Sequence, residues 1–164
     1  MVSEEVLEEF WYGLSESVRG DILKNCFEEY DKFLIGKEFN IGLVNQYFKI
    51  EYKRFVEHVE KGRLELVKVY VQLGVDINRN DDLSLHLASR YGHLDIVRYL
   101  VDHGADIHAG GGGALRWSSG EGHLDIVRYL VECGADVHVR NDEALQRATN
   151  YGYTEVMEYL KSVS

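Results

Sequence analysis

Proline is absent from this sequence of 164 residues, and cysteine occurs only twice, at Cys26 and Cys133. Average usage would give about eight prolines, so the absence excludes proline-rich linkers and polyproline ligands. Two cysteines cannot build a disulfide framework and fit a reducing compartment. The longest uncharged stretches contain about ten residues, which is too short to span a bilayer.

The chain also lacks basic charge. Asp and Glu total 28 against 18 Lys and Arg, so the formal net charge is −10. Because no segment supplies a basic stripe, we expect neither nucleic-acid binding nor binding to an anionic membrane. The acidic N-terminus does not have the layout of a signal peptide. These features predict a soluble protein of the cytoplasm, with the nucleus as the alternative.

What the sequence contains instead is an internal repeat of 30 residues. Residues 92–101 read Gly-His-Leu-Asp-Ile-Val-Arg-Tyr-Leu-Val and recur unchanged at 122–131, and residues 92–121 align on 122–151 with 16 identities. Related segments begin at Gly62 and Gly152. The frame predicts an array over residues 51–164 with four units, at 51–81, 82–111, 112–141 and 142–164.

Each unit is predicted to contain two helices. Between Leu94 and His103 the polar residues form a single stripe and the other positions are mostly apolar, which is typical of a helix covered on more than one side. Gly104 follows, where a left-handed C-terminal cap favours glycine. The predicted pairs are 52–61 with 64–73, 84–91 with 94–103, 114–120 with 124–133, and 143–151 with 154–162. The predicted fold is all-α, a solenoid of stacked antiparallel helix pairs.

The repeated segment, followed by Gly104-Ala105-Asp106, resembles the second helix and finger entry of ankyrin repeats. Leu85-His86-Leu87-Ala88 is similar to the helix opening of that family. The resemblance covers residues 52–164 and implies a non-catalytic module that binds a protein partner. The 30-residue period and the missing proline depart from the usual 33-residue pattern and are similar to ankyrin arrays of giant DNA viruses. The shortened fingers are therefore expected to retain little β-hairpin.

Residues 1–50 do not fit the repeat frame. Apolar residues at helical spacing follow Ser3 and Ser15, and a third apolar segment covers residues 39–48. One interpretation is an N-terminal helical cap that covers the first unit of the array. The other is an F-box-like segment from Leu14 to Val44, which would make the protein a substrate receptor of a cullin-type ubiquitin ligase.

We expect no catalytic, metal or cofactor site. Among the seven histidines, His93 and His123 share one repeat position, which predicts a structural role. Asp76, Asp106 and Asp136 share another, where a carboxylate can accept backbone N–H groups of a turn. No ligand spacing typical of zinc, nucleophile elbow or redox cysteine pair is present.

Two further features have local interpretations. Residues 110–113 are four glycines, which predict a mobile finger without side chains, so that replacing Gly111-Gly112 by Asn-Asp should hardly change stability. Trp117 stands at the repeat position of Leu87 and is predicted to pack in the core.

The surface left for binding is the one that the resemblance implies, namely the finger tips and the exposed side of each first helix. We expect a monomer that binds an unidentified protein there, a host protein in the host-cell cytoplasm if the source is viral. The predicted contact residues differ from unit to unit while the framework around them stays constant. They are Arg79, Asp81, Arg90, Tyr91, Gly120, Glu121, Arg140, Asn141, Asn150 and Tyr151.

Overall fold

The computed structural model describes residues 52–72 and 74–164. The chain divides into two units, Met1–Glu51 and Tyr52–Ser164, and the described residues belong to the second. The predicted N-terminal cap and the F-box-like segment lie outside the described residues.

The described residues form eight helices and no strand. Every helix predicted from the repeat frame is present, and the all-α stack of helix pairs is confirmed. None of the helices in this part of the chain has the length and hydrophobicity needed to cross a membrane. The helices are α1 (Tyr52–Glu60), α2 (Leu64–Gln72), α3 (Arg79–Arg90), α4 (Leu94–Asp102), α5 (Ala109–Gly120), α6 (Leu124–Glu132), α7 (Val139–Tyr151) and α8 (Thr154–Val163). The structural units are the helix pairs α1–α2, α3–α4, α5–α6 and α7–α8, each counted together with the link that precedes it.

The core is continuous from unit to unit because equivalent apolar positions are buried in each. Ile96 and Leu100 of α4 are fully buried, and so are Ile126 and Leu130 at the equivalent positions of α6. Leu85 contributes from the first helix of its pair and is also fully buried. First helices pack against first helices of neighbouring units, and second helices pack against second helices. No single pair encloses its own apolar faces, so stability depends on the stack.

A close contact between units lies at the turn inside each of the first three helix pairs. Gly92 has a φ of +80°, and a Cβ atom placed there would approach the His123 ring of the next unit to 2.7 Å. His123 donates from Nε2 to the carbonyl oxygen of Arg90 at 2.9 Å. Gly62 and His93 repeat the arrangement one unit earlier. The glycine therefore provides both the left-handed backbone and the space for the ring.

The link between units is a short left-handed turn. Residues 80–82, 110–112 and 140–142 all have φ between +52° and +67°, close to the values of a left-handed helix. In each turn the last of the three N–H groups donates to a carbonyl four residues earlier, as from Gly112 to His108 at 3.0 Å. The right-handed part of α3, α5 and α7 therefore begins at Leu83, Gly113 and Glu143. This turn stands where a longer repeat would place a β-hairpin, in agreement with the expectation of a reduced finger.

The repeated aspartates have the predicted structural role. Asp76, Asp106 and Asp136 each accept, through Oδ1, the backbone N–H of the residue two positions later, at 3.1, 2.8 and 2.9 Å. These bonds lie just before the left-handed turns and fix the chain direction entering them.

The four glycines do not form a free finger, and that expectation is wrong. Gly112 and Gly113 are buried. A Cβ atom at Gly112 would lie 2.9 Å from Cγ1 of Val139 in the following unit, and one at Gly113 would collide with the ring of His86 in the preceding unit. The run is packed between its two neighbours, so replacement of Gly111-Gly112 by Asn-Asp is no longer expected to be neutral.

Large and small residues complement each other across these turns. Asp82 occupies the position equivalent to Gly112, and it accepts the backbone N–H of Asp106 at 3.2 Å, which links two units. The repeat places Ala109 opposite Asp82, whereas Val139 stands opposite Gly112. The interface between the second and third units therefore pairs an aspartate with an alanine. The interface between the third and fourth units pairs a glycine with a valine.

Replacing Leu100 by alanine tests the packing of the stack. Leu100 is fully buried in α4, so we expect a loss of about 2–5 kcal/mol in the free energy of unfolding, from lost burial and a residual cavity. Chemical denaturation followed by circular dichroism measures the loss. A variant with an unchanged transition midpoint would show that the second unit does not support the array.

The complementarity at Gly112 predicts a rescue. Gly112→Asp should destabilise by about 1–3 kcal/mol, because the new side chain overpacks against Val139. The double variant Gly112→Asp/Val139→Ala has an aspartate facing an alanine at this contact, as the wild type has at Asp82 and Ala109. We expect coupling of about 1 kcal/mol or more in a double-mutant cycle measured by chemical denaturation.

Gly134→Asp is the matched control for this cycle. Gly134 also has a positive φ, of +97°, but no atom lies within 4 Å of the position of its Cβ. Its substitution reports the backbone cost alone, and Val139→Ala should not relieve it. Equal coupling at Gly112 and Gly134, or none at Gly112, would contradict the packing explanation.

Candidate protein-binding surface

Nine of the ten predicted contact residues are exposed, and Gly120 is buried. A Cβ atom at Gly120 would already touch Cδ of Arg147 at 3.4 Å, since the Arg147 side chain lies over it. Gly120 therefore offers no contact surface of its own. The exposed residues are Arg79, Asp81, Arg90, Tyr91, Glu121, Arg140, Asn141, Asn150 and Tyr151.

The structure separates these residues into two groups at opposite ends of the first helices. The first group, Arg79, Asp81, Arg140 and Asn141, lies in or next to the left-handed turns. The second group lies where the first helices end, and we call it the turn-edge surface: Arg90, Tyr91, Glu121, Asn150 and Tyr151. The right-handed part of α3 runs from residue 83 to residue 90, which puts about 10 Å between the groups.

The arginines of the turn group make contacts between units. The guanidinium of Arg79 lies 5.0 Å from the ring centroid of Tyr52, and the Tyr52 hydroxyl donates to the carbonyl oxygen of Arg79 at 2.9 Å. Arg140 donates from Nη2 to the carbonyl oxygen of Gly110 at 3.4 Å. Both side chains are thus engaged in holding the stack together.

The turn-edge surface is organised around Trp117. The guanidinium of Arg90 lies 4.7 Å from the centroid of the Trp117 ring, and that of Arg147 lies 4.8 Å from it. Arg90 also lies 5.8 Å from the centroid of Tyr91 and contacts Oε1 of Glu121 through Nε at 3.4 Å. Guanidinium groups stacked on an indole keep a defined position at low entropic cost.

A second cluster of charges holds Arg147. Both Oε atoms of Glu143 accept from Nη1 of Arg116 at 2.8 Å, and Glu143 Oε1 also accepts from Nε of Arg147 at 2.8 Å. Burial alone would raise the pKa of the Glu143 carboxyl, but the hydrogen bonds from Arg116 and Arg147 lower it below its ordinary value. Arg147 is therefore neutralised within the protein.

Sequence reasoning missed part of this cluster. Trp117 was predicted to pack in the core, but it is partly exposed and lies beside two arginines. Arg147 was not among the predicted contact residues. The signal was present, because Trp117 and Arg147 occupy one repeat position in adjacent units, and the stack makes such residues neighbours.

The histidines serve the framework in the described part of the chain. His93 donates from Nε2 to the carbonyl oxygen of Glu60 at 2.9 Å, and Nδ1 of His138 lies 2.7 Å from Oδ1 of Asp142. Among the described residues no group of three or more His, Cys, Asp or Glu could hold a metal ion.

Comparison with known families agrees with the fold. A family model described as ankyrin repeats (3 copies) matches residues 30–110 and 55–141. These matches together cover more than half of the chain, so the protein belongs to the ankyrin repeat family. Ankyrin repeats indicate a protein–protein interaction module, and proteins of this family are generally non-catalytic. No curated protein matches the sequence.

His58 is a buried histidine whose pKa is strongly lowered. It is buried in the last turn of α1, and Nδ1 has no hydrogen-bond partner in the described structure. Burial, with a smaller effect of the charge on Arg63, lowers the pKa of His58 from 6.5 to about 4. The folded protein therefore holds the ring neutral at pH values where the unfolded chain binds a proton.

This difference predicts a pH dependence of stability. With a lowered pKa in the folded state, His58 favours folding fully above about pH 6.5, and this contribution is lost as the pH falls from about 6.5 towards 4. We expect His58→Phe to flatten the free energy of unfolding against pH over this range. His86, whose pKa burial also lowers, titrates in both proteins and cancels in the comparison. Parallel curves from denaturation at several pH values would contradict this role of His58.

Proposed function

We propose that the array binds a protein partner through the turn-edge surface. The observation that carries the proposal is the exposure of two tyrosines, 47% for Tyr91 and 67% for Tyr151. They stand at the same repeat position two units apart, and Glu121 stands at that position in the unit between them. Among the described residues, Val163 near the C-terminus is the other large hydrophobic side chain with comparable exposure, at 41%.

The chemistry of this surface supports a protein partner. Tyrosine and arginine are enriched among the residues that dominate binding energy at protein interfaces. Tyr91 directly follows the end of α3 and Tyr151 ends α7, and between these helices Trp117 of α5 is held in place by Arg90 and Arg147. A rigid surface loses little conformational entropy when it binds, which favours affinity.

The finer forms of this proposal rest on sequence resemblance. The short, proline-free repeats support a viral protein that engages a host protein in the host cytoplasm, with no nucleic acid involved and the array acting as a monomer. The F-box-like residues 14–44 support an alternative in which the same array holds the target of a cullin-type ubiquitin ligase. Co-elution of the full chain with a ligase adaptor would favour the alternative over a module that only binds.

Alanine substitution of Arg90, Tyr91 and Tyr151 together tests the surface. A partner is first captured from host-cell extract by the full chain and identified by mass spectrometry, and its affinity is then measured with purified proteins. We expect a loss of about 1–3 kcal/mol in binding for each dominant side chain. Folding should change little, because exposed substitutions stay mostly within about 0.5 kcal/mol.

The matched control is a triple alanine variant at Asp102, Glu132 and Lys161, three exposed residues of the second helices. It removes the same number of exposed side chains from the other side of the helix pairs. We expect it to bind the partner as the wild type does. Equal affinity of both triple variants, with normal circular dichroism, would exclude the turn-edge surface as the binding site.

A further inference from the structure

Arg90 has unused binding capacity. The side chain is 43% exposed, and its one ion pair uses Nε, at 3.4 Å from Glu121 Oε1. Its two terminal nitrogens make no hydrogen bond to any described residue, although stacking on Trp117 keeps the guanidinium in place. A guanidinium held in this way presents parallel N–H donors that match the two oxygens of a carboxylate.

The other arginine at Trp117 shows what such a group binds in this protein. Arg147 lies over the same ring, and Oε1 of Glu143 accepts from its Nε at 2.8 Å and lies 2.8 Å from its Nη2 in an ion pair. At Arg90 the carboxylate of Glu121 makes only the single longer contact. Glu121 thus lies partly in the position where a carboxylate of another molecule could bind Arg90. It makes no hydrogen bond to the two terminal nitrogens of Arg90.

The distribution of charge favours an acidic ligand on this side of the array. The first helices α1, α3, α5 and α7 carry seven basic and six acidic residues, whereas the second helices carry four basic and seven acidic ones. The excess negative charge of the described array therefore lies on the second helices and the links; of the link residues, Glu121 belongs to the turn-edge surface, where Arg90 offsets its charge. An acidic segment meets less repulsion at the turn-edge surface than elsewhere on these helices.

We propose that the turn-edge surface binds an acidic segment of its protein partner, with an Asp or Glu carboxylate seated on the terminal nitrogens of Arg90. This inference rests on the proposed function and adds the chemistry of the partner. The ring of Tyr91, 5.8 Å from the Arg90 guanidinium, supplies contact area beside the carboxylate, and Tyr151 supplies exposed aromatic area two units further along the array. Glu121 competes with the incoming carboxylate and so weakens binding, which distinguishes its role from those of Arg90 and the tyrosines.

The probe for this test is a displayed library of random peptides selected on the full chain. Enriched peptides are synthesised, each with a partner peptide in which Asp and Glu are replaced by Asn and Gln, and titrated calorimetrically. We expect enrichment in acidic residues and a loss of about tenfold in affinity for the amide peptides and for Arg90→Ala. Arg90→Lys should keep part of the affinity, because a lysine has the charge without the paired donors.

Glu121→Gln is the sharpest variant. Removing the competing carboxylate should tighten binding of the acidic peptides by about two- to fivefold, the range that an exposed ion pair supports. If Glu121 only positioned Arg90, the same variant would weaken binding. Arg98→Ala is the matched control, because Arg98 is also an exposed arginine stacked on an aromatic ring, 4.5 Å from the centroid of Tyr129, but it lies on a second helix. It should bind as the wild type does.

The outcomes separate this inference from the proposed function. In one outcome the peptides bind the Arg90 and Glu121 variants as tightly as the wild type but no longer bind when Tyr91 and Tyr151 are replaced by alanine. This outcome would overturn the acidic-segment inference and would still support the turn-edge surface as the binding site. Failure to enrich any peptide, or enriched peptides unaffected by all of these variants, would overturn both.

Discussion

Adjacent units approach so closely that a glycine must lie beneath the ring supplied by the next unit. At Gly92 the backbone is left-handed and the His123 ring occupies the space of a Cβ atom, while the ring nitrogen binds the carbonyl of Arg90. This contact sets the spacing of the helix pairs, and the spacing decides which side chains of one unit reach the next. The core, the turns between units and the exposed surface all follow from it.

The left-handed turns meet the same constraint at the other end of the first helices. Three successive residues with positive φ cost energy for most side chains, which is why these turns consist mainly of Asn, Asp and Gly. In the third unit all three are glycines, which removes the backbone cost and leaves room for His86 and Val139 from the flanking units. A tight connection of this kind makes a 30-residue repeat possible without a β-hairpin.

The arrangement of charged side chains then determines which arginines are already engaged within the protein. Arg79 and Arg140 are engaged between units, and Arg147 is neutralised by Glu143. Arg90 is stacked on an indole and makes a single long ion pair, so its terminal donors are unused beside the exposed ring of Tyr91. This difference between the arginines is the reason why the proposed binding site lies where the first helices end, although exposed residues occur at both ends.

The sequence alone determined the repeat, the family, all eight helices and the structural role of the aspartates, because these depend on local periodicity and on turn chemistry that recurs every 30 residues. It also identified nine exposed positions, since departures from a constant framework mark residues that packing does not restrict. Tertiary structure decided the rest. Whether Gly112 is free or buried depends on Val139, and whether Trp117 is core or surface depends on Arg90 and Arg147. Those neighbours lie about 30 residues away, and only the close stacking of the units brings them into contact.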